Sequence, residues 1–193
     1  MTNVATAIGL FYLWTPHDPL PRLSRLPAVQ FSHEDTPAEH GGENDVELDT
    51  VQGQAETPAV RRYGAGAGRR TIALGEVSRE RASIGELGID VPLPTNHRYL
   101  WGFETLSDWR GRGIYPRLLQ AILRQEHADG ATHCWIGHDV GNNASERGIV
   151  RAGFTVVTRV DRLPTGTLTL VPLADTVRSA LCASVFQLPL ATD

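Results

Sequence analysis

Residues 110–123 read RGRGIYPRLLQAIL, a glycine-rich turn followed by apolar residues at helical spacing. The two glycines let an anion approach unpaired backbone amides, and the dipole of the helix adds positive potential. Arg110 and Arg112 add fixed charge. Pro116 is tolerated because the first helical turn does not use the N–H that proline lacks. The stretch predicts a binding turn for a pyrophosphate, with an ordinary strand-to-helix turn and solvated arginines as the alternative.

Strands and a second helix surround this turn. Residues 98–106 (RYLWGFETL) are rich in aromatic residues and leucine and predict a buried strand, and residues 132–139 (THCWIGHD) predict another. Residues 142–145 (NNAS) predict the cap of a helix that ends at Gly153, and residues 154–160 predict a further strand. The order strand, helix, strand, helix, strand indicates an α/β fold.

Two motifs in this order resemble those of a known family. R-G-x-G-I with the amphipathic helix after it looks like the coenzyme-binding motif Q/R-x-x-G-x-G/A of the GNAT superfamily of acyl-CoA-dependent N-acyltransferases. Residues 142–154 (NNASERGIVRAGF) look like its second motif, N-x-x-A-x-x-L-Y-x-K-x-G-F. Two motifs in the correct order and separation are more specific than either alone. The resemblance covers residues 71–173, and the positions in register in the second motif are Asn142, Ser145, Arg151, Gly153 and Phe154.

The resemblance implies a mixed central sheet with flanking helices, with acetyl-CoA as the acyl donor. In such folds two central strands, here residues 98–106 and 132–139, splay apart to admit the acyl group and the pantetheine arm. Backbone groups would bind the arm as an added strand does, and polar side chains would bond its amides. The residues implied for the arm are Phe103, Thr105, Asn142 and Ser145, and those implied for the pyrophosphate are Arg110, Gly111, Arg112, Gly113, Ile114 and Tyr115.

Two positions depart from the family's pattern. Tyr115 stands where the coenzyme motif usually ends in glycine or alanine, which places a ring near the phosphates. Ile149 stands where many members carry a tyrosine that protonates the departing coenzyme thiolate, and Ser145 is a weak acid that can replace it. A thiol is already a good leaving group, with a pKa of about 8.5 for free cysteine, so a dedicated acid is helpful rather than obligatory.

An amine that attacks a thioester must lose a proton, so a general base is expected near the splayed strands. Glu104 is the first candidate, because a carboxylate in a largely apolar strand is costly unless it is exposed, paired or functional. Exposure to solvent or pairing with an arginine is equally consistent with its position. His138, near the end of the next strand, is the second candidate, and a purely structural role is its alternative.

The sequence does not predict a metal site. His133, Cys134 and His138 are suitable ligand types, but alternation along a strand puts Cys134 on the face opposite His133, so the three side chains do not converge. Cys134 on an apolar strand is more simply a core residue than a nucleophile.

The N-terminal part is less regular. Residues 4–14 are an apolar run that predicts a buried strand or short helix and is too short to span a bilayer. Residues 15–69 have poor periodicity and predict a poorly defined segment, part of it loop or disordered. Within them we expect a short helix in 21–29 and a flexible turn at 64–68.

The pattern of apolar residues becomes more regular after residue 70. Residues 71–78 and 82–91 are apolar stretches separated by Arg79-Glu80-Arg81, which predicts a hairpin. The 193 residues, 41% of them hydrophobic, suit one domain over 1–193, with the motif-bearing part at 71–173.

The amino-acid composition limits the classes of binding partner and of chemistry that are expected. A net charge of -4 gives no support for a nucleic-acid or anionic-membrane partner. All 18 basic residues are arginine, which excludes Schiff-base lysine chemistry. Cys134 and Cys182 form no C-x-x-C pair and predict a reducing cytoplasm. The oligomeric state is open, with a homodimer among the alternatives.

The leading functional hypothesis is transfer of an acetyl or other acyl group from acyl-CoA to an amine on a small molecule or peptide. A catalytically weak acyl-CoA-binding regulatory module is the alternative, which the missing tyrosine at Ile149 favours. A Rossmann-like nucleotide binder is a third class, which the asparagine-capped helix and the absence of G-x-G-x-x-G disfavour. The identity of the amine is not predicted.

Overall fold

The computed structural model describes residues 5–24, 26, 29–36 and 59–191. The strands are β1 (Thr6–Trp14), β2 (Val29–Thr36), β3 (Val60–Ala67), β4 (Arg70–Ser78), β5 (Arg81–Ile84), β6 (Ile89–Pro92), β7 (His97–Thr105), β8 (His133–Asp139), β9 (Thr155–Arg162) and β10 (Leu168–Pro172). The α-helices are α1 (Ile114–Ala128), α2 (Asn143–Ala152) and α3 (Thr176–Phe186), and short 3₁₀ helices lie at Gly85–Leu87 and Ser107–Trp109.

Eight strands form one mixed sheet in the order β10-β9-β1-β8-β7-β4-β3-β2, and β5 and β6 form a separate hairpin. β7 and β8 are parallel and α1 connects them, whereas the other neighbours in the sheet are antiparallel. The N-terminal strand β1 lies between β8 and β9. The predicted α/β fold with a mixed central sheet and flanking helices is confirmed.

The two central strands diverge at one end. β7 and β8 pair from His97 opposite His133 to Leu100 opposite Ile136, and no pairing between them follows although both strands continue. β7 carries an extra residue relative to β4 at Gly102, whose φ of 65° is in the left-handed region. This bulge bends the end of β7 away from β8. The predicted splay of the central strands is therefore present.

Each face of the sheet carries its own core. α1 and α2 cover one face, where Tyr12, Leu100 and Ile122 are buried together. On the other face, Phe11 stacks on Phe186 of α3 at 4.2 Å between ring centroids, and the β5–β6 hairpin completes that core. Alternation along β1 thus sends side chains into both cores, which accounts for the continuous apolar run in the sequence.

A buried ionic cluster fixes the C-terminal end of α1 to the sheet. Glu126 is 0% exposed and accepts hydrogen bonds from Arg79 at 3.0 Å, from Arg98 at 2.7 Å and from the Tyr63 hydroxyl at 2.6 Å. A buried carboxylate needs this number of donors to offset its lost hydration. Because this end of α1 is anchored, the orientation of its N-terminal end is set as well.

The structure differs from three sequence predictions. Residues 71–78 and 82–91 do not pair, because the second stretch turns back on itself at Gly88, whose φ is 66°, to form β5 and β6. Residues 64–67 are part of β3, where β2 and β4 pair with their backbone, and only the turn at Gly68 follows.

The third difference concerns residues 21–29. Residues 21–24 are irregular and run along α1, where the Pro21 carbonyl accepts from Gln120 and the Ser24 carbonyl from Arg117. The disorder expected within residues 37–58 lies outside the described residues. In the described part of the chain no helix combines the length and apolar character needed to cross a membrane.

Candidate active site

A groove of about 640 Å³ lies between the end of β7, the glycine-rich turn and α2. α1 begins here at Ile114, and its N-cap, Gly113, has no side chain that could cap the first turn. In α2 and α3, by contrast, Asn142 and Asp175 each accept a hydrogen bond from a backbone N–H of the first turn. The first amides of α1 therefore remain available to an anion.

The predicted coenzyme residues gather around this groove, with Arg112 as the exception. Arg112 stacks on Trp109 instead, 5.1 Å from the ring centroid. Arg110 Nε donates to the Thr105 carbonyl at 2.9 Å, so that carbonyl already has a partner. The predicted residues that line the groove are Phe103, Thr105, Arg110, Gly111, Gly113, Ile114, Tyr115, Asn142 and Ser145.

Two further arginines, which were not assigned to the coenzyme site from the sequence, also line the groove. Arg147 and Arg151 lie one turn apart on α2 and both reach the groove. The sequence could have indicated them, because Arg147 and Arg151 are four residues apart in the helix that Asn142 caps, and this spacing places both on one helix face. We call this cavity the basic groove, because Arg110, Arg147 and Arg151 line it together with one carboxylate, Glu104.

A second cavity of about 440 Å³ lies at the divergence of β7 and β8 and extends to β1 and the Gly85–Leu87 turn. Its lining includes Glu86 and Asp139 but no arginine of the described chain, and we call it the acidic cavity. His138 and Trp101 also line it.

The two cavities meet at four shared residues, which are Phe103, Tyr115, Asn142 and Ser145. The rings of Phe103 and Tyr115 pack against each other at 5.2 Å between centroids. Glycines make room for both rings, because a Cβ at Gly75 would overlap Phe103 and a Cβ at Gly148 would overlap Tyr115. We call Phe103 and Tyr115 the aromatic wall.

The departure at Tyr115 is compensated on α2. Residue 148 is glycine where the family motif has leucine, so a large residue and a small one have exchanged places. The Tyr115 hydroxyl lies 3.4 Å from Ser145 Oγ, and burial raises the pKa of Tyr115 to about 12. Ile149, at the usual tyrosine position, is fully buried in the core. The phenol at this junction therefore comes from α1 rather than α2.

His138 is held in one tautomer. Its Nδ1 lies 2.8 Å from the Asp139 carbonyl, which only accepts, so Nδ1 carries the proton. The Tyr12 hydroxyl lies 3.0 Å from Nε2. Burial, and to a smaller extent the charge of Glu146, raises the pKa of Tyr12 to about 12, so this hydroxyl keeps its proton and donates to Nε2. The basic nitrogen of His138 is thus Nε2.

Glu104 occupies a different place from His138. It is exposed, it lines the basic groove rather than the acidic cavity, and it pairs in the sheet with the exposed Leu74. The structure thus separates the two candidate bases predicted from the sequence, one on each side of the aromatic wall. Ser145, the third predicted catalytic residue, lies at the junction itself.

The mixed sheet and the paired cavities define an α/β protein with a two-part candidate site, and a sequence comparison gives the family. Residues 29–154 match the Acetyltransferase (GNAT) family, which is more than half of the chain. The protein belongs to the GNAT acetyltransferase family.

Solved structures support this fold. A GNAT-family acetyltransferase from Colwellia psychrerythraea is 15% identical with a TM-score of 0.51, and the match covers 83% of this chain and 56% of that chain. A GCN5-related N-acetyltransferase from Kribbella flavida is 14% identical with a TM-score of 0.51, covering 79% and 55%. The chain thus spans little more than half the length of these proteins. The comparison with curated proteins gives no significant match.

Proposed function

We propose that the protein transfers an acetyl or other acyl group from coenzyme A to an amine. The observation that carries this proposal is the meeting of the basic groove and the acidic cavity where β7 and β8 diverge. A donor bound from one side and an amine bound from the other would bring their reacting atoms together at the shared residues. Direct transfer needs this arrangement, because it requires both substrates at once.

The basic groove fits the donor. Its arginines and the uncapped amides of α1 suit a pyrophosphate, because both kinds of group donate N–H hydrogen bonds to an anion and the arginines add positive charge. Asn142 uses Oδ1 to cap α2 through the Ser145 N–H at 3.1 Å, which leaves its Nδ2 to donate to an amide carbonyl of the pantetheine arm. At the end of β7, the edge that no longer pairs with β8 offers backbone groups to the same arm.

His138 is the proposed proton acceptor. In the reaction a bond forms between the amine nitrogen and the acyl carbon, the carbon–sulfur bond breaks, and the nitrogen loses a proton. Nε2 of His138 takes this proton, directly or through water, and the Tyr12 hydroxyl then turns to accept from the new N–H. The Asp139 carbonyl stabilises the resulting imidazolium through Nδ1.

Tyr115 is proposed to stabilise the departing sulfur. A phenol with a pKa of about 12 is a weaker acid than a thiol, so it donates a hydrogen bond to the thiolate rather than giving up its proton. Solvent then protonates the thiolate. Ser145, 3.4 Å from the Tyr115 hydroxyl, orients that group or donates a second hydrogen bond.

The test is release of free thiol from acetyl-CoA, measured with and without a panel of primary amines, together with calorimetric binding of acetyl-CoA. Amine-dependent release supports transfer. Tight binding without release by any amine would instead support the regulatory acyl-CoA-binding module, and absence of binding would reject both.

A further inference from the structure

Two carboxylates of the acidic cavity have no cationic partner. Glu86 lies in the Gly85–Leu87 turn and Asp139 ends β8, and neither side chain has an ion pair within the described residues. Arg162 approaches Glu86 but donates to its backbone carbonyl, at 3.5 Å. Both carboxylates are exposed, so they are accessible to a ligand. Several other carboxylates of the described chain are paired with arginine, as in Asp18–Arg178, Glu76–Arg62, Asp90–Arg81 and Asp161–Arg159.

A tyrosine hydroxyl in the same cavity also has no partner among the described residues. Tyr99 is 5% exposed and lines the cavity, and its ring packs edge-on against Phe186. No residue of the described chain forms a hydrogen bond with its hydroxyl. Burial, followed by the charges of Glu86 and Asp139, raises the pKa of Tyr99, so the phenol is close enough to feel both carboxylates. Because the hydroxyl has no partner in the described chain, it remains available to hydrogen-bond a ligand in the cavity.

The ring of Trp101 adds a third feature that suits a cation. Trp101 is 39% exposed and lines the cavity, and its Nε1 donates to Ser78 Oγ at 2.9 Å. This hydrogen bond fixes the indole while part of its surface remains accessible. A cation over an indole face gains electrostatic energy in addition to what it gains from a carboxylate.

We propose that Glu86, Asp139, Tyr99 and Trp101 bind a second cationic group of the acceptor, so that the substrate is an aliphatic diamine or an amine that carries a guanidinium. This inference rests on the proposed function. The reacting amine lies at the aromatic wall near His138 and must be neutral to attack. The second group stays protonated, and the two carboxylates compensate its charge while the Tyr99 hydroxyl accepts one of its N–H donors.

The experiment compares 1,4-diaminobutane with 1-aminobutane, which has the same chain and lacks the second ammonium. We measure kcat/KM from thiol release at saturating acetyl-CoA and pH 8, corrected for the neutral fraction of each amine. The wild-type protein is expected to prefer the diamine by roughly tenfold or more. Glu86→Gln and Asp139→Asn are each expected to lower this ratio by roughly 3- to 10-fold. A loss of this size lies between the effect of losing an exposed ion pair and that of losing a charge-assisted hydrogen bond.

Glu80→Gln is the matched control, because Glu80 is exposed and lies outside the cavity, so the substitution changes the net charge by the same amount. The control is expected to keep the wild-type ratio. Equal use of both amines by the wild type, or equal effects of all three variants, would overturn the inference while leaving the proposed function intact. If no amine releases thiol, the proposed function fails, and calorimetric binding of the two amines to the same four proteins still decides the inference.

Discussion

The basic groove and the acidic cavity share four residues yet have opposite charge. Three arginines and free helix amides line the groove, whereas Glu86 and Asp139 line the cavity. The aromatic wall separates the two fields, so a polyanion and a cation each find a complementary surface on their own side. Such complementarity acts mainly on encounter rates and on rejection of the wrong ligand. The opposite charges would therefore favour each proposed substrate on its own side of the aromatic wall.

The two candidate bases lie on opposite sides of the aromatic wall. Glu104 lies on the groove side, where it would face a polyphosphate, and a like charge there weakens donor binding. His138 lies on the cavity side in a tautomer whose Nε2 is basic. These positions support the proposed transfer of the proton to His138, on the acidic side of the aromatic wall.

The largest expected effect tests this placement. His138→Gln removes the basic nitrogen, so turnover is expected to fall by roughly 10²–10⁴-fold while the affinity for acetyl-CoA changes little. Glu104→Gln, on an exposed side chain, is expected to stay within about threefold of the wild-type turnover. Steady-state thiol release and calorimetry measure the two quantities. The reverse ranking would move the base to the groove side, as the sequence alone suggested.

The next prediction concerns the aromatic wall that keeps the two cavities distinct. Gly148→Ala forces a Cβ into the Tyr115 ring, and overpacking of this kind is expected to lower the free energy of unfolding by about 1–3 kcal/mol. Urea denaturation measures the change. In a Tyr115→Ala background the clash is absent, so Gly148→Ala is expected to stabilise the helix by about 0.5–1 kcal/mol. Equal destabilisation in both backgrounds would contradict the large-for-small exchange.

The charge of the basic groove gives a third prediction. Arg110→Ala and Arg151→Ala are each expected to weaken acetyl-CoA binding by about 1–2 kcal/mol, with the loss shrinking at high salt. Arg112→Ala is the matched control, because Arg112 stacks on Trp109 and does not line the groove, and it is expected to cost less than about 0.5 kcal/mol. Calorimetry that ranked Arg112→Ala beside the other two would extend the groove over the whole RGRG turn.

Many of the central helices and strands could be predicted, because each depends on a pattern of residues close together in the sequence. The strand at 98–106, the helix after Gly113 and the Asn142 cap each follow from residues close in sequence, and the structure has all three. The hairpin assigned to 71–91 was wrong because strand pairing is decided by partners distant in sequence. Nothing near residues 71–78 indicates that β7 rather than the next stretch pairs with β4.

The acidic cavity could not be predicted for the same reason. Glu86, Tyr99 and Asp139 are far apart in sequence, and the folded sheet and the Gly85–Leu87 turn bring them together. Tyr115 was visible as a departure from the motif, but Gly148, which makes room for it, became meaningful only once α1 and α2 were seen to pack. A sequence pattern thus located the basic groove, and tertiary packing defined the acidic cavity.

The smallest expected effect falls on the residue that both cavities share. Tyr115→Phe keeps the ring of the aromatic wall and removes the hydroxyl. The value of kcat is expected to fall by about five- to tenfold, because the variant loses one hydrogen bond to the thiolate. The affinity for acetyl-CoA is expected to stay unchanged. Because the pKa of Tyr115 is about 12, its phenol stays protonated below that pH, and the ratio of wild-type to variant kcat is expected to be constant from pH 6 to about pH 10. Pre-steady-state thiol release across this range measures the ratio. A variant with the wild-type kcat would show that solvent alone assists the leaving sulfur. If the ratio of wild-type to variant kcat instead began to decrease at a pH well under 10, the phenol would ionise at a lower pH than its burial predicts.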